Sequence, residues 1–60
     1  AQVVMDAFAG QDRSVTEISR LTGLTARQVR YVLHALIREG YAEMDASAGP
    51  RNTVYRLITP

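Results

Sequence analysis

Four side chains that donate hydrogen bonds recur at intervals of four, three and four residues in the segment 25–39, namely Arg27, Tyr31, His34 and Arg38. In an α-helix, which turns by about 100° per residue, this spacing puts all four in one narrow arc. Arginine presents planar, paired N–H groups that match phosphate oxygens and the acceptor atoms on base edges. The alternative is an ordinary solvated helix face, and the rest of the chain decides between the two.

No other group of residues has the pattern of a catalytic or metal site. The chain has no cysteine and one histidine, whereas a zinc site needs three or four ligands. We find no paired carboxylates with a pocket, no nucleophile with a histidine and an acid at suitable spacing, and no glycine-rich phosphate loop. We therefore expect no enzymatic activity, no cofactor and no metal.

Length and charge narrow the class of protein. A chain of 60 residues has room for one domain with a small core, and its first residue, Ala1, suggests a piece of a longer protein. No apolar run approaches the roughly 20 residues that span a bilayer, so we expect a cytoplasmic, nucleoid-associated protein without membrane contact. Residues 1–12 carry a charge of −2, residues 13–40 carry +3, and residues 41–60 are balanced. The positive charge therefore collects in the middle of the chain.

The four donors lie on a helix whose two ends are marked in the sequence. Thr25 and Gln28 have the spacing of a capping box, in which each side chain accepts a hydrogen bond from the other residue's backbone amide. Gly40 can take the left-handed conformation that ends a helix. We predict a helix over 25–39 whose buried face consists of Val29, Val32, Leu33 and Leu36.

Two shorter helices precede this one. The first covers residues 2–9, and the second ends at about Thr22. The start of the second is ambiguous, because Ser14 with Glu17 forms a capping box while Thr16 is also a good cap. We prefer Thr16, which leaves Ser14 and Val15 extended as a short edge strand. The residues expected to face the core are Val3, Val4, Ala7 and Phe8 in the first helix and Ile18 and Leu21 in the second.

The end of the chain has the spacing of a hairpin. Segments 41–45 and 53–58 predict two strands, the second rich in β-branched and aromatic residues. The joining segment 46–52 has Gly-Pro at its centre, which favours a loop. The inward-facing residues of the second strand are Tyr55 and Leu57 or, as an open alternative, Val54 and Ile58.

The order of these elements and several short stretches match a known class. The stretches are Val15-Thr-Glu-Ile18, Leu21-Thr-Gly-Leu24, Thr25-x-x-x-Val29 and Leu33-x-x-Leu36-x-x-x-Gly40-Tyr41. They resemble the helix-turn-helix of bacterial winged-helix regulators of the MarR, IclR and ArsR families, and residues 52–57 resemble the second strand of their wing. The resemblance implies an α+β, mainly helical fold over residues 1–60, with three helices and a C-terminal two-stranded wing.

By this resemblance the helix 25–39 enters the major groove of double-stranded DNA, and the wing loop 46–52 lies on the backbone or in the minor groove. The function implied is DNA binding within a transcriptional regulator or a replication or partition protein. The partners implied are DNA and either a second copy or tethered domains, with no small-molecule ligand in this domain. The implied DNA-binding residues are Thr25, Arg27, Gln28, Arg30, Tyr31, His34, Arg38 and Arg51.

The resemblance gives these residues different roles. Arg27 and Gln28, near the start of the helix, are the candidates for base contacts, and Arg38 and Arg51 are candidates for phosphate contacts. Arg30 lies nearer the core and either contacts DNA or forms a salt bridge within the domain. The two aromatic residues of the stripe, Tyr31 and His34, are expected to reach bases or phosphates, although Tyr31 has the alternative of packing against the second helix. Thr25 is a helix cap first, in a position that also suits a phosphate.

The sequence differs from the winged-helix families in several features. The loop lacks the dense Asp/Arg pattern of MarR wings, and the metal-binding cysteines of ArsR sensors are absent. Z-alpha domains, which bind left-handed DNA, have Asn and Tyr where this chain has Arg30 and His34. The competing function is a winged helix that docks on a protein partner through Tyr31 and His34 and does not bind DNA.

Overall fold

The computed structural model describes residues 2–58, which form three α-helices followed by a two-stranded antiparallel sheet. This is the mainly helical α+β arrangement predicted from the sequence. A short 3₁₀ turn, Pro50–Asn52, lies in the loop between the strands. The elements are α1 (Gln2–Phe8), α2 (Val15–Thr22), α3 (Ala26–Arg38), β1 (Ala42–Asp45) and β2 (Val54–Leu57).

The start of α2 differs from the prediction. Ser14, not Thr16, caps the helix: its Oγ accepts from the Glu17 amide at 3.1 Å, and Glu17 Oε1 accepts from the Ser14 amide at 2.9 Å. Two backbone amides are thus satisfied at once, which a cap at Thr16 would not do. The bond from the Ser14 amide is also the main reason that the pKa of Glu17 is lowered.

Because Ser14 caps α2, the predicted edge strand is almost absent. Val15 already belongs to the helix, and only Arg13 pairs with the hairpin. The Arg13 amide donates to the Tyr55 carbonyl at 2.9 Å, and the Tyr55 amide donates to the Arg13 carbonyl at 2.7 Å. This single bridge ties the segment between α1 and α2 to β2.

Both ends of α3 form as predicted. Thr25 Oγ1 accepts from the Gln28 amide at 3.1 Å, and Gln28 Oε1 accepts from the Thr25 amide at 3.0 Å. At the other end Gly40 has a φ of 84°, and the amides of Gly40 and Tyr41 donate to the carbonyls of Ile37 and Leu36. This pair of bonds is the Schellman ending, which requires the positive φ that glycine adopts without strain. The helix is therefore fixed in length and direction by local interactions.

The core lies where the helices meet the hairpin. The predicted inward residues Val4, Phe8, Ile18, Val29, Leu33, Leu36 and Tyr55 are buried, Ala42 is buried with them, and Val32 and Leu57 pack against this cluster half-buried. Val3 and Leu21 were wrongly predicted to be inward, since they are 55% and 58% exposed. They line an open groove between α1 and α2. Helical spacing gave the correct face, but no other element within residues 2–58 covers this groove.

Candidate nucleic-acid interface

The face of α3 opposite its buried residues is open to solvent. Arg27, Tyr31, His34 and Arg38 are all exposed, whereas Val29, Leu33 and Leu36 on the other side are buried. The amphipathic division predicted from the spacing is therefore present. The 79% exposure of Tyr31 also rules out the alternative that this ring packs only against the second helix. The four predicted donors form one continuous stripe along the helix.

The arginines fall into two electrostatic groups. Arg13 is paired with Glu17, and Arg56 is paired with Asp12, Glu43 and Asp45. The others make no salt bridge within residues 2–58, so the alternative internal salt bridge of Arg30 is not formed there. The five arginines whose charge is not offset in this way are Arg20, Arg27, Arg30, Arg38 and Arg51. They belong to α2, α3 and the wing loop, and none belongs to α1.

A cleft joins the helix-turn-helix to the wing. It has a volume of about 340 Å³ and is lined by residues from the start of α2, from α3 and from the hairpin, including Thr16, Arg30, Arg51, Thr53 and Tyr55. Arg30 and Arg51 are both exposed and are distant in sequence, so the fold brings them to one cleft. Sequence reasoning named both arginines but did not predict that they share a site.

Local hydrogen bonds shape the wing loop that carries Arg51. Gly49 has a φ of 105°, and the Asn52 amide donates to the Gly49 carbonyl at 3.0 Å to close the 3₁₀ turn. The Asn52 side chain donates to the Ala48 carbonyl at 3.1 Å, and the Thr53 hydroxyl donates to the Pro50 carbonyl at 3.2 Å. Arg51 thus projects from a turn that is held by its own backbone and side chains.

Behind the loop, Arg56 holds the hairpin to the body of the domain. Its guanidinium donates to Asp12 at 3.0 Å, to Glu43 at 3.4 Å and to Asp45, so it connects the loop after α1 with both strands. Hydrogen bonds from Ser47, and then from Arg56, lower the pKa of Asp45 to about 2. Hydrogen bonds to Asp12 and then to Asp45, together with the negative charges of these carboxylates, raise the pKa of Arg56. The positive charge of the wing therefore lies at Arg51.

The capping box restricts what Gln28 can offer to a ligand. Its amide oxygen already accepts from the Thr25 backbone, which leaves the NH₂ group as the donor that can point outwards. The Thr25 hydroxyl oxygen likewise accepts from the Gln28 amide and keeps its own proton to donate. Both residues are placed at the start of α3, where unpaired backbone amides favour anions.

An apolar concavity lies beside the same end of α3. Leu24, Arg27, Gln28, Tyr31 and Val32 line it, and its volume is about 520 Å³. Leu24 and Val32 are half-buried and pack against the core, so they form a fixed floor, while the exposed Tyr31 forms a wall. Spacing along the helix did not predict this feature, because Leu24 lies before the N-cap Thr25 and outside α3.

The chain has three helices, of which α2 and α3 are joined through the left-handed Gly23, and a two-stranded wing lies beside them. This arrangement defines a winged helix-turn-helix domain, a class that binds DNA. The family model of the IclR helix-turn-helix domain matches residues 1–46, and the chain belongs to this family. It is thus a DNA-binding domain of the kind found in bacterial transcription regulators. The match ends directly after β1, so the wing loop and β2 lie outside it.

Neither the curated proteins nor the solved structures contain a match to this chain. No helix within residues 2–58 is both long and apolar enough to cross a membrane. Over the same residues no three His, Asp or Glu side chains are grouped so as to hold a metal ion.

Proposed function

We propose that the chain binds B-form double-stranded DNA with α3 in the major groove and the wing loop 46–52 on the neighbouring backbone or minor groove. The observation that carries this proposal is the stripe of Arg27, Tyr31, His34 and Arg38, which is exposed and makes no salt bridge within residues 2–58. The major groove, about 12 Å wide, accepts a helix, and base edges there carry the acceptors that these donors match.

The proposed base contacts lie at the N-terminal half of α3. Arg27 binds the O6 and N7 atoms of a guanine through two parallel hydrogen bonds. Gln28 contacts a base through its NH₂ group, because the capping box turns its amide oxygen towards the Thr25 backbone. Tyr31 and His34 follow on the same stripe and reach bases or phosphates one turn further along.

The proposed phosphate contacts surround this helix. Arg38 lies one turn beyond His34, and Thr25 donates its hydroxyl proton beside the amides at the helix start. Arg30 and Arg51 line one cleft, so a single strand of the backbone that passes between α3 and the wing would meet both. These contacts fix the position of the domain on the duplex and supply most of the salt dependence.

A single domain of this size binds weakly, so occupancy of a site requires two copies on paired half-sites or further DNA-engaging domains. The chain acts in the cytoplasm at the nucleoid, as a module of a transcription regulator or of a replication or partition protein. It carries no catalytic activity of its own, and any small-molecule sensing belongs to another domain.

Alanine substitutions on α3 test the roles of the arginines. We expect Arg27→Ala to cost about 1–3 kcal/mol of binding free energy on a selected duplex and to relax the preference at one base pair. Arg38→Ala, the matched control on the same stripe, should weaken binding to all duplexes alike and reduce the slope of log affinity against log salt by about 1. The measurement is fluorescence anisotropy on the selected duplex and on single-base variants of it. Equal effects of both substitutions on all duplexes would contradict base recognition by Arg27, and absence of DNA binding would favour docking on a protein.

A further inference from the structure

We infer that the apolar concavity beside the start of α3 receives the C5-methyl group of a thymine, next to the base that Arg27 contacts. This inference rests on the proposed binding of α3 in the major groove, and it adds a determinant of sequence specificity to it. The residues concerned are Leu24, Tyr31 and Val32, with Arg27 and Gln28 at the rim.

The concavity has a floor that is set by the fold. Leu24 and Val32 pack against the buried cluster, and the Ser19 hydroxyl donates to the carbonyl of Leu24, so the backbone at this position is also held. The capping box fixes Gln28 at the rim through its amide oxygen. A floor that is already ordered in the free domain does not lose conformational entropy when a ligand covers it.

The wall of the concavity is the side chain of Tyr31, which is 79% exposed. A tyrosine has an apolar ring and a polar tip, so the ring can cover an apolar group while the hydroxyl stays in water or meets a phosphate. Together with Leu24 and Val32 it makes a contiguous apolar surface that water covers in the free domain. Burial of such a surface against another apolar group is favourable.

The chemistry of the major groove offers one group that fits. The edges of the base pairs carry hydrogen-bond donors and acceptors, and the C5-methyl of thymine is the apolar group among them. Arg27 and Gln28 line the same concavity, so a base contacted by Arg27 has its neighbour within reach of the apolar floor. Recognition through Leu24, Tyr31 and Val32 would thus read thymine beside the guanine of Arg27.

Replacement of thymine by deoxyuridine tests this directly, because it removes the methyl group and leaves the base pairing intact. Duplexes that bind the chain are first selected from a random library at low salt. Each thymine of the selected duplex is then replaced singly, and affinity is measured by fluorescence anisotropy. We expect one thymine in each half-site to lose about fourfold in affinity on replacement, the effect of one methyl group withdrawn from water, and the other thymines to show no change.

Two variants assign the effect to this concavity. Tyr31→Ala should reduce the difference between the thymine and deoxyuridine duplexes, because the wall of the concavity is removed and its floor of Leu24 and Val32 remains. Tyr31→Phe, which keeps the ring, should preserve the full difference. Circular dichroism checks that both variants are folded, as expected for an exposed position. Three results would overturn the inference while DNA binding stands: a selected site without thymine, equal binding of the unmodified chain to every replaced duplex, or a difference that is undiminished in Tyr31→Ala. Failure to select any duplex would instead refute DNA binding itself, and this inference with it.

Discussion

Ser14 and Thr25 have the same task at the starts of α2 and α3. The side-chain oxygen of each accepts a hydrogen bond from the backbone amide three residues ahead. In return its own backbone amide donates to the side chain of that residue, which is Glu17 in α2 and Gln28 in α3. In α2 the box starts the helix after Ser14, which leaves Arg13 outside the helix, where it bridges to Tyr55. In α3 it determines which atoms of the first turn remain free for a ligand. Single side chains thus decide both the path of the backbone and the chemistry of the exposed surface.

Substitution of the two candidate caps of α2 tests the residue-level account. Ser14→Ala should lower the free energy of unfolding by about 0.5–2 kcal/mol, because the Glu17 amide loses the hydroxyl oxygen to which it donates. Thr16→Ala is the matched control and should change it by less than about 0.5 kcal/mol, since Thr16 is an exposed residue within the first turn. Urea denaturation followed by circular dichroism measures both. If Thr16→Ala lowered the free energy of unfolding by more than Ser14→Ala, the result would contradict the cap at Ser14 and favour one at Thr16.

Among the elements, the wing depends most on charged contacts. β1 and β2 have four residues each, and the burial of Ala42 and Tyr55 anchors one face of the pair. The guanidinium of Arg56 ties the strands to the loop after α1 through three carboxylates. These groups are well exposed, so each ion pair is worth little alone, and their value lies in how they orient the hairpin as a network. The wing loop and Arg51 are positioned by this arrangement.

The low pKa of Asp45 predicts how the stability of the domain depends on pH. It is about 2 in the folded chain against an ordinary value of 3.8, because Ser47 and Arg56 stabilise the carboxylate. The ionised group therefore stabilises the fold above about pH 4, and this contribution should be lost as pH falls from 3.8 towards 2. Asp45→Asn should reduce the slope of unfolding free energy against pH in this window. The slope should not vanish, since the pKa of Glu17 is also lowered.

The matched control for that experiment is Asp6→Asn on α1. Asp6 accepts a hydrogen bond from Gln2 at 2.8 Å and takes no part in the wing contacts. The control shows how much of any change comes from replacing a carboxylate that makes no contact with the wing. Urea denaturation at pH values between about 2 and 5 provides the comparison. Equal slopes in Asp45→Asn and the unmodified chain would contradict the role assigned to the hydrogen bonds on Asp45.

At the scale of the whole molecule, the net charge of +1 conceals a strong separation of charges. Three carboxylates surround Arg56 and one faces Arg13, while the arginines of α3 and of the wing loop have no such partner within residues 2–58. Salt bridges within the domain therefore neutralise four of the carboxylates, and the arginines at the proposed DNA surface keep their positive charge. Such a distribution favours association with DNA even when the net charge is small.

The sequence predicted those features of the fold that depend on local interactions. The span and ends of α3 follow from residues a few positions apart. The inward face of β2 did not, since periodicity left Tyr55 with Leu57 and Val54 with Ile58 as alternatives, and the structure buries Tyr55. The burial of Val3 and Leu21 was wrongly predicted, because it depends on whether a distant element covers the groove between α1 and α2. The start of α2 was also wrongly predicted, because Ser14 and Thr16 both carry the signal of a helix cap and the sequence offers no means of choosing between them.

In the candidate site, too, features that depend on residues close in sequence were predictable, and features that depend on residues far apart were not. The stripe on α3 was predictable because a helix fixes its geometry from spacing alone. The cleft shared by Arg30 and Arg51 was not, because it depends on the path of the hairpin, and the pairing of Arg56 with Asp12 joins residues 44 positions apart. The assignment of DNA contacts to individual residues remains a prediction.

The most direct test of DNA binding is fluorescence anisotropy of a labelled random B-form duplex, titrated with the chain at about 50 and 200 mM salt. If Arg30, Arg38 and Arg51 meet phosphates as proposed, affinity should fall by between one and two orders of magnitude between these conditions. Steep salt dependence of this size is the result that we predict. Absence of binding at the lower salt concentration, by a folded chain tested also as a dimer forced by a fused coiled coil, would contradict the account.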